Sequence, residues 1–337
     1  MTRLRQLALV GLAAVAIGAT ASSAFAAETG SFPNRLAGAT IGLPAGAAPP
    51  PGLYASLSTF YLDVIPPGGA SNGTWCISTV NGKCANLPLI EQTVPLLWVP
   101  GWTFLGATYE AAVAQSFYVF TVCGGPPFDG TCNSGAPISS GGFVYTNTFF
   151  NPITLSWNLG GGWFVSAGFS FFAPDGTRQV GTPNPDYWTL EPALAVSYLG
   201  GSWVFSANMF YDFNTRSQGT CCAQTQMTNG DLFYTDLTLL YKFGKWSIGP
   251  VGFIVAQTTP DTGCPVSSSV APCGNLQAGG VGGLIGYDFG PMNLQVIVVD
   301  NVYGTNVPLG SGSITFSSRI GFKVWGPEAP HPLVSKD

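Results

Sequence analysis

The residues best suited to chemistry in this 337-residue chain are eight cysteines and a sparse set of charges. Cys76 and Cys84 lie close together, as do Cys123 and Cys132, and Cys264 and Cys273. In an oxidising compartment, three such couples read most simply as three local disulfides, each closing a small ring. Cys221 and Cys222 are adjacent. They could form a strained vicinal bridge or two bridges to other segments, and spacing does not choose. Metal ligation is not expected, because no C-x-x-C occurs and the single histidine, His331, sits in a Pro-rich tail. The same scarcity removes Ser/His or Asp/His hydrolysis, which needs an imidazole to carry the proton. Asp231 and Asp236 would point to opposite sides of a strand, so they do not make a glycosidase pair. The glycine run Gly280–Ile285 fails the dinucleotide fingerprint at Ile285, and no P-loop occurs. The expectation is a protein that is not an enzyme, with no catalytic residue, cofactor or metal.

The N-terminus explains the cysteines. Arg3 and Arg5 precede an apolar run from Leu7 to Ile17, and Ala24-Phe25-Ala26 is an A-x-A cleavage site. Residues 1–26 therefore read as a signal peptide, and export permits disulfides. Residues 27–51, rich in Ala, Gly and Pro, read as an irregular lead-in that either stays in the periplasm or tucks into a lumen.

Composition narrows the class. Only 8% of the residues are charged and the formal charge is −5, which argues against nucleic acid as a partner. No mature segment is an uninterrupted apolar run long enough for a membrane helix. An exported chain that is aromatic-rich, Gly-rich and poor in charge, yet without membrane helices, fits the bacterial outer membrane. A secreted β-sandwich would show more charge on its solvent faces.

The connections between aromatic-rich strands alternate in length. Short Gly turns fall at Pro100-Gly101, Leu159–Gly162, Leu199–Ser202, Phe243–Lys245 and Phe289–Pro291. Long polar loops fall near 65–90, 123–140, 173–186, 215–230, 259–275 and 304–311, and four of them hold all the cysteines. This is the sequence form of an all-β transmembrane antiparallel β-barrel, with short periplasmic turns and long extracellular loops. About twelve strands are expected, over 53–64, 90–99, 102–122, 141–158, 162–172, 187–199, 202–214, 231–243, 245–258, 276–289, 291–303 and 312–325. The barrel spans 52–325, and residues 326–337 form a periplasmic tail beyond Trp325.

Alternation assigns the faces. Trp203, Phe205, Met209, Tyr211 and Phe213 share one face, and Ser206, Asn208 and Asp212 the other. The same reading places Glu110, Glu191, Asn208, Asp212, Tyr234, Asp236, Lys242, Arg319 and Lys323 on the lumen, together with Phe60, Phe150 and Phe172. A Lys or Arg facing lipid at the midplane would cost about 2–4 kcal/mol, so inward placement is favoured. Asp300 breaks the pattern near a loop end. The strands near 245–289 have ambiguous parity, and the small residues Ala278–Gly283 suggest a tight bend or a close approach to something inside. Trp98, Trp102, Trp157, Trp163, Trp203, Trp246 and Trp325 adjoin short turns or the barrel's end, forming a periplasmic aromatic girdle.

Several short motifs recur in a familiar order. They are Pro51-Gly52-Leu53-Tyr54, Phe171-Phe172-Ala173-Pro174-Asp175-Gly176, Trp188-Thr189-Leu190-Glu191-Pro192, Phe213-Asn214-Thr215-Arg216, Gly230-Asp231 with Asp236, and Gln257-Thr258-Thr259-Pro260-Asp261. In these the chain resembles the meta-pathway phenol-degradation family of outer-membrane proteins, which includes the SphA-like proteins. The resemblance implies a barrel that carries hydrophobic or aromatic compounds. The cysteine-rich loops and the twelve residues after Trp325 depart from the family pattern.

Together these readings imply an outer-membrane channel or transporter for passive uptake of small hydrophobic or aromatic compounds. Its partners would be outer-membrane lipid, a small hydrophobic or aromatic ligand and the barrel-assembly machinery. The competing expectation is a structural or adhesive barrel whose disulfide-stapled loops bind outside partners.

Overall fold

The computed structural model describes residues 33–64, 79–80, 83–120, 123–124, 143–177, 184–218, 228–263, 275–305 and 314–326. It is a closed antiparallel barrel of twelve long strands. In order these are Gly52–Val64, Lys83–Val99, Ala107–Phe120, Thr148–Gly160, Trp163–Ala173, Thr189–Gly200, Trp203–Asn214, Leu232–Phe243, Trp246–Gln257, Gln277–Asp288, Met292–Thr305 and Ile314–Trp325. Each pairs with its neighbour in sequence, and the first pairs with the twelfth, with Leu57 opposite Ile320. Closure leaves no free edge, which a lipid environment demands of any spanning sheet. Among the described residues, no helix is long and apolar enough to cross a membrane.

Two expected strands are corrected. The stretch 102–122 begins instead with a two-residue strand, Thr103–Phe104, that folds back onto Ala107 and Thr108. Leu105 (φ 51°) and Gly106 (φ 78°) make that turn, so the third barrel strand starts at Ala107. The stretch 141–158 is broken at Thr146 and Asn147, with Phe143–Tyr145 as a separate short strand. Pro88, Pro95 and Pro100 do not end the second strand early, which runs from Lys83 to Val99.

The outer surface is apolar along the strands, as Leu190, Leu194, Phe213, Ile254, Phe316 and Ile320 show. Its periplasmic rim carries paired rings. Trp163 opposes Tyr198, Trp203 opposes Tyr241 and Trp246 opposes Tyr287, with centroids 5.0, 5.0 and 4.6 Å apart. Trp98, Trp102 and Tyr109 form a further cluster on the same rim. Trp and Tyr suit this interface because one end of each ring system is apolar and the other can hydrogen-bond.

One expected lumen residue is on the wrong side. Phe150 is exposed outward, stacked on Phe171 at 5.3 Å, while Phe149 faces inward against Phe172 at 5.1 Å. The register shifts between Phe150 and Ile153 relative to the fifth strand. Pro152 and Ile153 both point outward there, so counting by twos from Ser156 loses step at this bulge. Asp300 is exposed, beside a second register shift between Gly279 and Val281.

Candidate functional site

The lumen is occupied by the chain's own N-terminal segment. Residues 33–51 run through it and emerge at the periplasmic end, where Gly52 opens the first strand. The segment is a series of turns closed by hydrogen bonds from Ala39 to Leu36, from Leu43 to Thr40 and from Ala47 to Pro44. Gly38 and Gly42 take the third places of the first two turns with φ of 78° and 83°, where an L side chain would be strained. Gly46 follows at the same four-residue interval, and a Cβ there would come within 2.7 Å of the Ser197 nitrogen.

Irregular backbone inside a barrel must find its hydrogen bonds on the walls. The wall supplies them from inward positions on neighbouring strands. Asp236 accepts from Gly38 N at 3.0 Å, and from Thr40 N and Oγ1 at 2.9 and 2.7 Å. Thr238 accepts from Gly42 N at 2.9 Å and Ser197 from Gly46 N at 2.9 Å. Asn208 donates to the oxygens of Thr40 and Leu43 at 3.2 and 3.1 Å. Ser156 and Ser166 donate to Gly46 O and Ala45 O, each at 2.8 Å. Across the lumen, Arg319 donates from Nη1 to Ile41 O at 2.7 Å and from Nη2 to Ala39 O at 2.6 Å. Gln295 donates to Gly42 O at 3.0 Å.

The upper anchor is electrostatic. Arg35 pairs with Glu191 through Nε and Nη2, the only ion pair among the described residues, and both side chains are buried. Ser170 donates to the same carboxylate at 2.8 Å. The guanidinium lies 3.7 Å from the Phe210 ring centroid and 5.9 Å from that of Phe149. A planar cation with a forked donor set is well matched to a carboxylate bounded by rings.

The other sector of the lumen is apolar. Inward Phe60, Val251, Phe253, Val255, Leu284, Ile297 and Val299 are buried, with Ile41 of the segment packed among them. Gly280 makes room for this, since a Cβ there would lie 2.4 Å from the Phe253 ring. Between this wall and Leu36, Ala37, Gly38 and Ile41 lies a small cavity of about 30 Å³ that opens to a wider mouth. Asn301, Thr315 and Ser317 add polar groups to its lining.

The residues singled out in the sequence divide by depth. Glu191, Asn208, Asp212, Tyr234, Asp236 and Arg319 are buried in the lumen, and five of them lie on the sixth to eighth strands. Glu110 is also buried, opposite Thr154 on the third and fourth strands. Lys242 and Lys323 are exposed at the periplasmic mouth, where Lys323 lies 5.8 Å from the Tyr54 ring. They line the rim rather than the interior, because both sit within three residues of a strand's end. Cys76, Cys132, Cys221, Cys222, Cys264 and Cys273 lie outside the described residues, as do residues 1–32 and 327–337. Cys84 and Cys123 are described only as backbone, in strand segments that meet where Asn86 opposes Cys123. Arg35, Gly38, Gly42, Gly46, Ser197 and Gln295 were not among the expected site residues. The four-residue glycine spacing was the available signal.

A family model described as "MetA-pathway of phenol degradation" matches residues 90–325. The chain belongs to that family. The luminal segment lies outside the matched residues. No curated protein matches the chain. Among solved structures, the COG4313 outer membrane channel from Pseudomonas putida F1 superposes with a TM-score of 0.61 at 13% identity, covering 82% of this chain and 96% of its own. The P. putida toluene transporter TodX gives 0.44 at 11% identity, covering 90% and 95%. The first of these likenesses establishes a shared fold. The family member described here is an outer-membrane barrel.

Proposed function

We propose that the protein is a passive outer-membrane channel for small hydrophobic or aromatic compounds, with residues 33–51 as a plug that sets its bore. The observation that carries this reading is the apolar sector of the lumen. Phe60, Phe253, Ile297 and Val299 face a peptide segment that belongs to no strand, with a narrow gap between them. An apolar solute gains about 25 cal/mol for each Å² withdrawn from water, enough to draw it from the outside to this wall. The polar groups at the cavity, Asn301, Thr315 and Ser317, would hold a hydroxyl or carbonyl without charge. Transport is then downhill and needs no catalytic group. The COG4313 relative, described as a channel, supports the same class.

In this reading the fixed side is the polar wall that anchors the plug, and the permeable side is the apolar wall. Insertion into the membrane would depend on the barrel-assembly machinery, and the cysteine-bearing loops would be stapled outside. The test is uptake by proteoliposomes containing the purified protein, using phenol, toluene and a charged control such as benzoate. Selective entry of the neutral aromatics supports the reading. Absence of uptake of every hydrophobic compound, together with silence in planar bilayers, would overturn it in favour of a structural barrel.

A further inference from the structure

Glu191 and Asp212 face each other across the sixth and seventh strands. Leu190 pairs with Phe213 and Ala193 with Phe210, which sets the two carboxylates directly opposite on the luminal face. They are 0% and 1% exposed. Like charges directly opposed across strands destabilise a sheet unless something between them compensates. Arg35 is hydrogen-bonded to only one of them. Glu191 receives Nε and Nη2 of Arg35 and the hydroxyl of Ser170. Asp212 Oδ1 receives no donor. On the next strand Tyr234 opposes Phe210, one inward position from Asp212, and is 1% exposed. Its hydroxyl also has no partner. An unpartnered carboxylate oxygen and an unpartnered phenol therefore share one buried corner.

Buried polar atoms in native proteins find partners. The two atoms left over here specify the partner's chemistry. The carboxylate oxygen asks for a donor or a positive charge. The phenol oxygen can accept from it or coordinate it. The local charge asks for one more positive unit, since two carboxylates face one guanidinium.

We propose that Asp212 and Tyr234 form a binding site for a small monovalent cation, an alkali ion or a primary ammonium group, seated beside Arg35. Its occupancy completes the upper anchor of the plug. A cation at this point neutralises Asp212, removes its repulsion of Glu191 and so leaves Glu191 wholly to Arg35. The site is separate from the apolar cavity beside Phe253, and it stands whether or not hydrophobic compounds pass.

The probes are Na⁺ and methylammonium, each compared with choline, a bulky quaternary ammonium with no N–H to donate. In detergent-purified full-length protein at constant ionic strength and pH, replacing choline with either probe should raise the thermal midpoint with a saturable dose response. Radiolabelled sodium should bind at one per chain. Asp212→Asn should weaken that binding by roughly tenfold or more, because it removes the charge that is neutralised. Tyr234→Phe should weaken it less, and it serves where Asp212→Asn does not fold. A response to Na⁺ alone assigns the site to an alkali ion, and a response to methylammonium alone assigns it to an ammonium group. Equal midpoints in choline and both probes would overturn the proposal. So would a midpoint that follows pH alone, which would show a proton filling the place, or sodium binding that survives in both variants.

Discussion

Arg35 and Glu191 carry the largest single energetic consequence in the lumen. A buried ion pair gains little net stability over an apolar pair, but removing one partner strands a charge out of water. Glu191→Leu or Arg35→Ala should therefore cost about 3–5 kcal/mol of plug and barrel stability. The double variant Arg35→Met with Glu191→Leu should recover most of that loss. Thermal unfolding of the three proteins in one detergent checks the ordering, and equal losses in the singles and the double would contradict it. Arg319 differs in kind, because its guanidinium holds the plug by carbonyls of Ala39 and Ile41 and not by an opposite charge. Residue-level reading of the sequence put Glu191 and Arg319 on the luminal face, where polar and apolar positions alternate, and did not single out Arg35. It lost Phe150, because the bulge at Pro152 and Ile153 leaves no mark that alternation can register.

The plug is the element on which the proposed function turns. Its conformation depends on Gly38, Gly42 and Gly46, and its seat depends on Asp236, Thr238 and Ser197. Gly46→Val would drive a side chain into the Ser197 backbone, within 2.7 Å at its Cβ alone. Single-channel recording should show larger or noisier conductance for this variant. Deleting residues 33–48 should raise conductance further while the β-sheet circular dichroism stays unchanged. A deletion as silent as the intact protein would show that this segment does not limit the bore. The ninth and tenth strands carried little readable parity for a related reason. Phe253 and Leu284 point inward to meet Ile41, so both faces of these strands are apolar. An Ala- and Gly-rich lead-in has no periodicity of its own, and nothing in its composition distinguishes a luminal path from a periplasmic one.

The whole molecule is an apolar band closed on itself around a mixed interior. A lysine in place of Leu194, at mid-strand and facing out, should cost about 2–4 kcal/mol, and one in place of Trp203 at the rim about 0–1 kcal/mol. Folding titrations into lipid vesicles measure both, and equal costs would mean that Leu194 does not lie at the membrane's midplane. The class of molecule was legible in the chain's order of short and long connections, in its scarcity of charge and in its tryptophans at one rim. Those features are local or compositional, and the bilayer imposes them on any barrel that spans it. The filling of the lumen was not legible. It depends on pairs such as Arg35 with Glu191, Thr40 with Asp236 and Ile41 with Arg319, which lie far apart along the chain. Hydrogen bonding of an irregular segment to a wall has no repeat and no preferred spacing. Only closure of the barrel around residues 33–51 brings those partners together, and with them the orphaned corner at Asp212 and Tyr234.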